Sequence, residues 1–193
     1  MRKKDKNNII NLPNILSLLR ILLIPVFLLL MFQRKTLGAF LVFLAAGFTD
    51  VLDGFTARVW HLKTKLGALL DPAADKLLMT ASYIVLTVPA LNSPNVIPRW
   101  LTIVVISRDL LIVSSAFFAY KLRDQKNFPP SIFGKICTIL QVTVILLVLF
   151  FNSIQASSPY LNWLYLLTLT FTVFSVAHYY YLGIKIFFPP QKR

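Results

Sequence analysis

Six long runs of mostly apolar residues dominate this sequence and limit its possible folds. They cover residues 14–32, 38–58, 67–91, 99–120, 132–151 and 160–183. A helix needs about 20 residues to cross the hydrocarbon core of a bilayer, and each run is of that order. Because the bilayer core offers no partner for backbone polar groups, helices are the expected structure. The sequence therefore predicts an all-α integral membrane protein with six transmembrane helices in a single domain, residues 1–193.

The composition excludes an ordinary soluble domain. Hydrophobic residues make up 57% of the chain, and its net charge is +13. Basic residues of membrane proteins collect in loops that face the cytoplasm and its anionic lipids. Here they are spread over several loops instead of one surface, which argues against nucleic acid as a partner and favours membrane lipids. The single cysteine, Cys137, excludes a disulfide within the chain.

The distribution of lysine and arginine predicts the orientation in the membrane. Most of them lie near the two ends of the sequence and in the loops after the second and fourth runs. The positive-inside rule then places both termini on the cytoplasmic side of a bacterial-type inner membrane. The basic segment 1–6 and the apolar run after it are similar to a signal peptide. Five further runs favour a first transmembrane helix instead.

Four of the seven acidic residues of the chain lie between residues 50 and 75. Asp50 and Asp53 are three residues apart near the end of the second run. Asp71 and Asp75 are four apart near the start of the third. Residues with these spacings share one face of a helix. Because a short loop joins the two helices, we expect them to be antiparallel neighbours whose four carboxylates converge on one cytoplasmic cavity.

A divalent cation is the expected partner of this acidic cluster. Four unpaired carboxylates beside hydrocarbon would be costly. Their hard oxygen atoms suit Mg²⁺ or Mn²⁺, and four carboxylates are enough to hold two ions. Structural interpretations stay open for the single residues. Asp71 before Pro72 is typical of a helix cap, and Asp50 or Asp53 can pair with a nearby basic residue.

Small residues and an arginine add the features of a pyrophosphate site. Gly54, Ala57 and Gly67 leave room for a ligand against the backbone. Arg58 offers a forked guanidinium that suits a phosphate group. Carboxylates, divalent cations, an arginine and bare backbone together indicate that this window binds a pyrophosphate.

This window resembles the signature of the CDP-alcohol phosphotransferases. It reads Asp50-x2-Asp53-Gly54-x2-Ala57-Arg58-x8-Gly67-x3-Asp71-x3-Asp75, which fills every signature position at the right spacing. The six-helix layout is similar as well. The resemblance implies the CDP-alcohol phosphotransferase fold. It also implies a homodimeric, Mg-dependent enzyme that transfers the phosphatidyl group of CDP-diacylglycerol to an alcohol and releases CMP.

The resemblance also implies roles for the residues of the signature. All four aspartates would bind the metal ions, and Asp75 would also be the base that takes the proton of the acceptor hydroxyl. Gly54, Ala57, Arg58 and Gly67 would line the site of the CDP-lipid.

The flanking segments resemble the branch of phosphatidylglycerophosphate synthases and eukaryotic-type cardiolipin synthases. Residues 11–20 and 134–141 are similar to both groups. The pair Arg108-Asp109 is more similar to the cardiolipin synthases, because the other group commonly has Arg-Glu there. We expect glycerol 3-phosphate as the acceptor, with phosphatidylglycerol as the alternative. Arg108 and Lys135 are the cations expected to contact the acceptor phosphate.

Two arginines keep alternative interpretations. Arg20, inside the first run, either extends to the membrane interface or faces a cavity. Arg108 either meets the acceptor or pairs with Asp109 or Asp124.

Two other classes of protein stay open. A divalent-cation transporter also needs carboxylates, but its polar residues should continue across the membrane, and here they stop in the cytoplasmic half. A structural protein of the lipid surface would leave the acidic cluster unexplained.

Overall fold

The computed structural model describes residues 12–59, 67–92, 94–123 and 132–187, with side chains at 15–50, 72–92, 94–114 and 132–180. These ranges form six α-helices. They are α1 (Leu12–Phe32), α2 (Thr36–Val59), α3 (Gly67–Leu86), α4 (Arg99–Arg123), α5 (Ile132–Ser153) and α6 (Tyr160–Phe187). The prediction of an all-α protein with six helices is confirmed.

Helix α3 begins where the sequence predicts, at residue 67, but the predicted end and the cap interpretation of Asp71 are wrong. The helix begins at Gly67, so Asp71 lies inside it and the interpretation as a cap is wrong. It ends at Leu86 and not at residue 91. Pro89 favours this end, because proline lacks the backbone N–H and disfavours a helical conformation of the residue before it. The side-chain amide of Asn92 then donates to the carbonyl of Val85 over 2.7 Å.

Three helices are long and apolar enough to cross a membrane within the described residues. These segments are Ile15–Phe32, Ile132–Ser153 and Tyr160–Tyr180, and a shorter apolar segment, Thr36–Asp50, lies in α2. The other three helices, α2, α3 and α4, carry most of the charged residues of the predicted site, which lowers their hydropathy.

Several helices place apolar side chains outside and polar side chains inside. On α1, Leu18, Leu19 and Leu22 are exposed, whereas Ser17 and Arg20 are buried. On α6 the buried positions include three hydroxyl residues, Thr168, Thr172 and Ser175. Exposed apolar faces are typical of helices solvated by lipid, where polar groups find their partners in the protein interior. The chain is an integral membrane protein.

Contacts divide the chain into two compact units, and the first consists of Met1–Val96 and Val148–Ser157. In this unit α1 packs against both α2 and α3. The rings of Phe27 and Phe43 lie 6.1 Å apart in the interface of α1 and α2. Helix α1 therefore packs against both helices that carry the acidic cluster.

Two buried asparagines tie distant segments of the first unit together. Asn152 Oδ1 accepts hydrogen bonds from the backbone N–H of Asn95 over 2.9 Å and from its side-chain amide over 3.0 Å. Asn152 Nδ2 donates to the carbonyl of Asn95 over 2.8 Å. The Asn95 amide also donates to the carbonyl of Ala156 over 2.7 Å. The loop before α4 is thereby fixed to the end of α5.

The second unit consists of Ile97–Leu147 and Ser158–Arg193. In this unit α4 packs against α6. Buried polar groups also meet across α5 and α6, where Cys137 Sγ lies 3.3 Å from Thr172 Oγ1. Gln141 Nε2 donates to the same sulfur over 3.4 Å. The single domain predicted for residues 1–193 stays a prediction.

Candidate functional site

Arg20 of α1 joins two of the predicted aspartates. Its Nη2 atom lies 3.1 Å from Asp50 Oδ1, and its Nη1 atom donates to Asp75 Oδ1. Asp50 belongs to the second half of α2 and Asp75 to the first half of α3. Because both helices pack against α1, the two halves of the acidic window meet at one guanidinium.

The Arg20 guanidinium is much more deeply buried than the two carboxylates that it contacts. The Arg20 side chain is 1% exposed, whereas those of Asp50 and Asp75 are 47% and 38% exposed. A guanidinium taken out of water is costly unless it is paired, and two carboxylates supply the pairing. Each carboxylate therefore contacts the buried guanidinium and keeps a large part of its surface exposed.

The interpretation that Arg20 extends to the membrane interface is wrong, because its side chain is buried and ion-paired. The sequence contains the signal for the observed role. A charged residue inside an apolar helix needs a partner, and most of the few acidic residues of the chain lie in one window. Ser17, three residues earlier and also buried, lies on the same face of α1.

The other signature residues belong to the same two helices, α2 and α3, as the sequence predicts. Their side chains lie outside the described residues, so their roles as metal or CDP-lipid ligands stay predictions. They are Asp53, Gly54, Ala57, Arg58, Gly67 and Asp71.

Within the described residues no group of three potential metal ligands is present, but the site supplies two carboxylates that suit a divalent cation. Carboxylate oxygens of Asp50 and Asp75 come from two helices and face one common point, since both contact the same guanidinium. Hard carboxylate oxygens are the ligands that Mg²⁺ and Mn²⁺ prefer. The two side chains already bind a cationic group there and remain partly exposed. A full set of four carboxylates, completed by Asp53 and Asp71, stays a prediction.

Arg108 lies in the second unit and is surrounded by polar groups. Its side chain is 4% exposed, and its Nη1 atom donates to Asp109 Oδ1 over 2.7 Å. Its Nη2 atom donates to Ser175 Oγ over 3.1 Å and lies 3.4 Å from the carbonyl of Gly134. Its Nε atom has no hydrogen-bond partner among the described residues. The pair with Asp109 is therefore present, and contact with an acceptor phosphate stays a prediction.

Lys135 follows the glycine that Arg108 contacts. It lies near the start of α5 with its side chain exposed, whereas the carbonyl of Gly134 faces the buried Arg108. The structure thus brings the two predicted acceptor cations to adjoining parts of the second unit. The role of Lys135 stays a prediction.

The fold and the site define an integral membrane protein of six helices, in which aspartates of α2 and α3 pair with a buried arginine of α1. The chain belongs to the CDP-alcohol phosphatidyltransferase family, which matches residues 10–174. The family prediction made from the signature is therefore confirmed.

Similar proteins come from two groups of this family. A cardiolipin synthase (CMP-forming) of Rattus norvegicus is 35% identical over 193 residues, and that of Homo sapiens is 34% identical. Both alignments cover 90% of this chain and 62% of the relative, so the chain spans less than two thirds of their length. A CDP-diacylglycerol–glycerol-3-phosphate 3-phosphatidyltransferase of Escherichia coli strain K12 is 32% identical over 141 residues, covering 70% of this chain and 74% of the relative.

Proposed function

We propose that this protein transfers the phosphatidyl group of CDP-diacylglycerol to an alcohol that carries a phosphate, and releases CMP. The observation that carries the proposal is that Asp50 and Asp75 both contact the buried guanidinium of Arg20, in a chain with the complete family signature. Carboxylates gathered from two helices provide what a pyrophosphate substrate with divalent ions requires.

The reaction follows from the chemistry of these residues. The carboxylate of Asp75 accepts the proton of the acceptor hydroxyl, whose oxygen attacks the phosphorus of the phosphatidyl group. The new P–O bond forms as the bond from that phosphorus to the bridging oxygen breaks, and CMP leaves with the electron pair. Arg58 binds a phosphate of the donor, and Gly54, Ala57 and Gly67 leave space for the CDP-lipid.

Mg²⁺ or Mn²⁺ is the proposed cofactor, held as two ions by Asp50, Asp53, Asp71 and Asp75. When bound, the ions would neutralise the negative charge of the pyrophosphate and of the leaving CMP. The side chains of Asp50 and Asp75 are partly exposed, so both are accessible to ions from solution.

Glycerol 3-phosphate is the first candidate acceptor, because the alignment with the glycerol-3-phosphate enzyme covers the larger share of the relative. Phosphatidylglycerol is the second candidate. Similarity to the cardiolipin synthases extends over 90% of this chain, and the buried Arg108–Asp109 pair matches the Arg-Asp sequence that resembles that group. Both acceptors present a phosphate group to a cation.

The deciding experiment supplies purified protein with CDP-diacylglycerol, Mg²⁺ and one acceptor at a time. CMP release and the lipid product are measured for glycerol 3-phosphate, phosphatidylglycerol and, as a control without phosphate, serine. Product with glycerol 3-phosphate supports the first candidate, and cardiolipin formation supports the second. The absence of CMP with every acceptor would refute the enzyme proposal and favour the transporter alternative, which transport of Mn²⁺ into vesicles tests.

Arg108 is the residue for which a change in acceptor affinity is expected. Replacing Arg108 with glutamine should raise the KM for the acceptor about 10- to 100-fold, the effect of losing charge-assisted hydrogen bonds to a phosphate. The KM for CDP-diacylglycerol should change by less than about twofold. Arg99→Gln, an exposed cation on the same helix, is the matched control. An effect on the donor KM alone would contradict the assignment.

We also propose that both termini and the site face the cytoplasm and that the protein is a homodimer. The count of basic residues in the loops supports the orientation. Labelling of Lys63→Cys by an impermeant reagent, with Cys137 replaced by serine, should succeed only from the cytoplasmic side. The family resemblance supports the dimer, which light scattering of the detergent complex measures; a monomeric mass would overturn it.

A further inference from the structure

The ion pairs of Arg20 raise a question about how the acidic site binds metal. A buried unit charge contacts two of the carboxylates that the proposed function assigns to divalent ions. The signature itself does not include this arginine, which lies 30 residues before its first aspartate. The side chain must therefore influence any cation that shares those carboxylates.

Geometry indicates that Arg20 and an ion can bind the carboxylates together. The guanidinium contacts the Oδ1 atoms of Asp50 and Asp75. The guanidinium is almost completely buried, whereas the two carboxylates keep 47% and 38% of their surface exposed. A carboxylate can accept on both of its oxygens. Arg20 therefore binds from the interior, and both carboxylates keep exposed surface that an ion can reach.

We propose that Arg20 is a positioning residue that orients Asp50 and Asp75 from the interior and lowers their affinity for divalent cations. The orientation follows from two directed contacts by one planar, forked group. The lower affinity follows from charge, because the guanidinium cancels one of the two negative charges and repels an incoming cation. The inference rests on the proposed function for the presence of divalent ions at this site.

The size of the two effects decides the sign of the expected result. Even at the dielectric constant of water, repulsion between the guanidinium and a divalent ion bound to the same carboxylates should weaken ion binding about tenfold. Loss of orientation frees short aspartate side chains, which have few rotamers to restrict, and weakens binding by a smaller factor. Removing the charge should therefore strengthen metal binding, whereas a merely structural arginine would weaken it or leave it unchanged.

The test compares Mn²⁺ binding to the full chain in detergent by electron paramagnetic resonance. Arg20→Gln should bind Mn²⁺ about tenfold more tightly than the wild type, equivalent to about 1.4 kcal/mol. Arg20→Lys keeps the charge and should stay within about threefold. Lys35→Gln removes an exposed cation from the turn between α1 and α2 and should change affinity less than about twofold, because solvent screens it.

A second measurement, thermal unfolding with and without Mn²⁺, keeps the proposal testable if the neutral variant folds poorly. Without its counter-charge, Arg20→Gln should unfold at a lower temperature in ion-free buffer, and Mn²⁺ should raise that temperature more than in the wild type. Arg20→Met, which keeps an apolar stem, is made in parallel and purified with Mn²⁺ before the ion is removed. Either neutral variant should show the tighter binding.

The outcomes separate this inference from the proposed reaction. Unchanged or weaker Mn²⁺ binding by both neutral variants overturns the inference, even if the wild type releases CMP. No Mn²⁺ binding by any variant overturns the inference together with the proposed metal site. Tighter binding by the neutral variants of a protein that releases no CMP supports the inference and overturns the reaction.

Discussion

Replacing Asp75 with asparagine is expected to reduce CMP release about 1,000-fold or more, the range expected when a general base is lost. Asparagine is isosteric, but it cannot take the proton of the acceptor hydroxyl, and it is a weaker ligand for a divalent ion. Because Asp75 is the exposed partner of its ion pair, with 38% of its side chain exposed, the helix should tolerate the change. Initial rates at saturating CDP-diacylglycerol and acceptor measure the effect on kcat.

Asp50→Asn is the matched variant for this experiment. It removes a charge of the same size from the same guanidinium, but it leaves the proposed base in place. We expect its lost activity to recover in part at high Mg²⁺, since only metal affinity has changed, and that of Asp75→Asn to show no recovery. Circular dichroism and gel filtration check that both variants fold. Activity of folded Asp75→Asn near that of the wild type would refute the assigned base.

The number of helices follows from the sequence because hydrocarbon thickness fixes the length of an apolar run. The end of α3 does not follow from apolarity, since Val88 and Leu91 continue the pattern beyond Leu86. Pro89 interrupts the backbone hydrogen bonds there, and the Asn92 side chain bonds to the carbonyls of Val85 and Val88. The residues of the turn thus determine the end of α3, which hydropathy does not predict.

Helical spacing predicts that the two aspartates of each helix share one face. It does not predict that Arg20 forms the ion pairs with Asp50 and Asp75. Arg20 and Asp75 are 55 residues apart, and their contact depends on how α1 packs against α3. Local sequence patterns do not determine such tertiary register. The scarcity of acidic residues does narrow the choice, because a buried arginine in this chain has few carboxylates to meet.

The Arg108–Asp109 pair illustrates a different restriction. Neighbours in sequence point to different sides of a helix, so adjacency alone leaves the contact open. Here Arg108 Nη1 donates to Asp109 Oδ1, while Arg108 Nη2 donates to Ser175 Oγ on α6. Both partners are buried in the second unit. Ser175 is one of several hydroxyl residues on α6, and nothing in its spacing identifies it as the partner.

Replacing Asn152 with leucine is expected to lower the free energy of unfolding by about 3–5 kcal/mol, the range for breaking a buried hydrogen-bond network. The asparagine is fully buried. Its amide accepts two hydrogen bonds from Asn95 and donates one to the Asn95 carbonyl. Leucine has a similar volume, so the main loss is polar, because groups of Asn95 lose their partner in the interior. For a chain of this size the unfolding temperature should fall by roughly 10 °C.

Ser153→Ala, the next residue on α5, is the control for this loss. Its hydroxyl donates to the carbonyl of Phe150 within the helix, so the substitution should change stability by less than about 0.5 kcal/mol. Thermal unfolding in one detergent, followed by circular dichroism, measures both variants. Asn95→Ala combined with Asn152→Leu should cost much less than the sum of the single changes, since both remove the same hydrogen bonds. Additive losses would show that the two asparagines act independently and would contradict the role of this pair in fixing the loop before α4 to the end of α5.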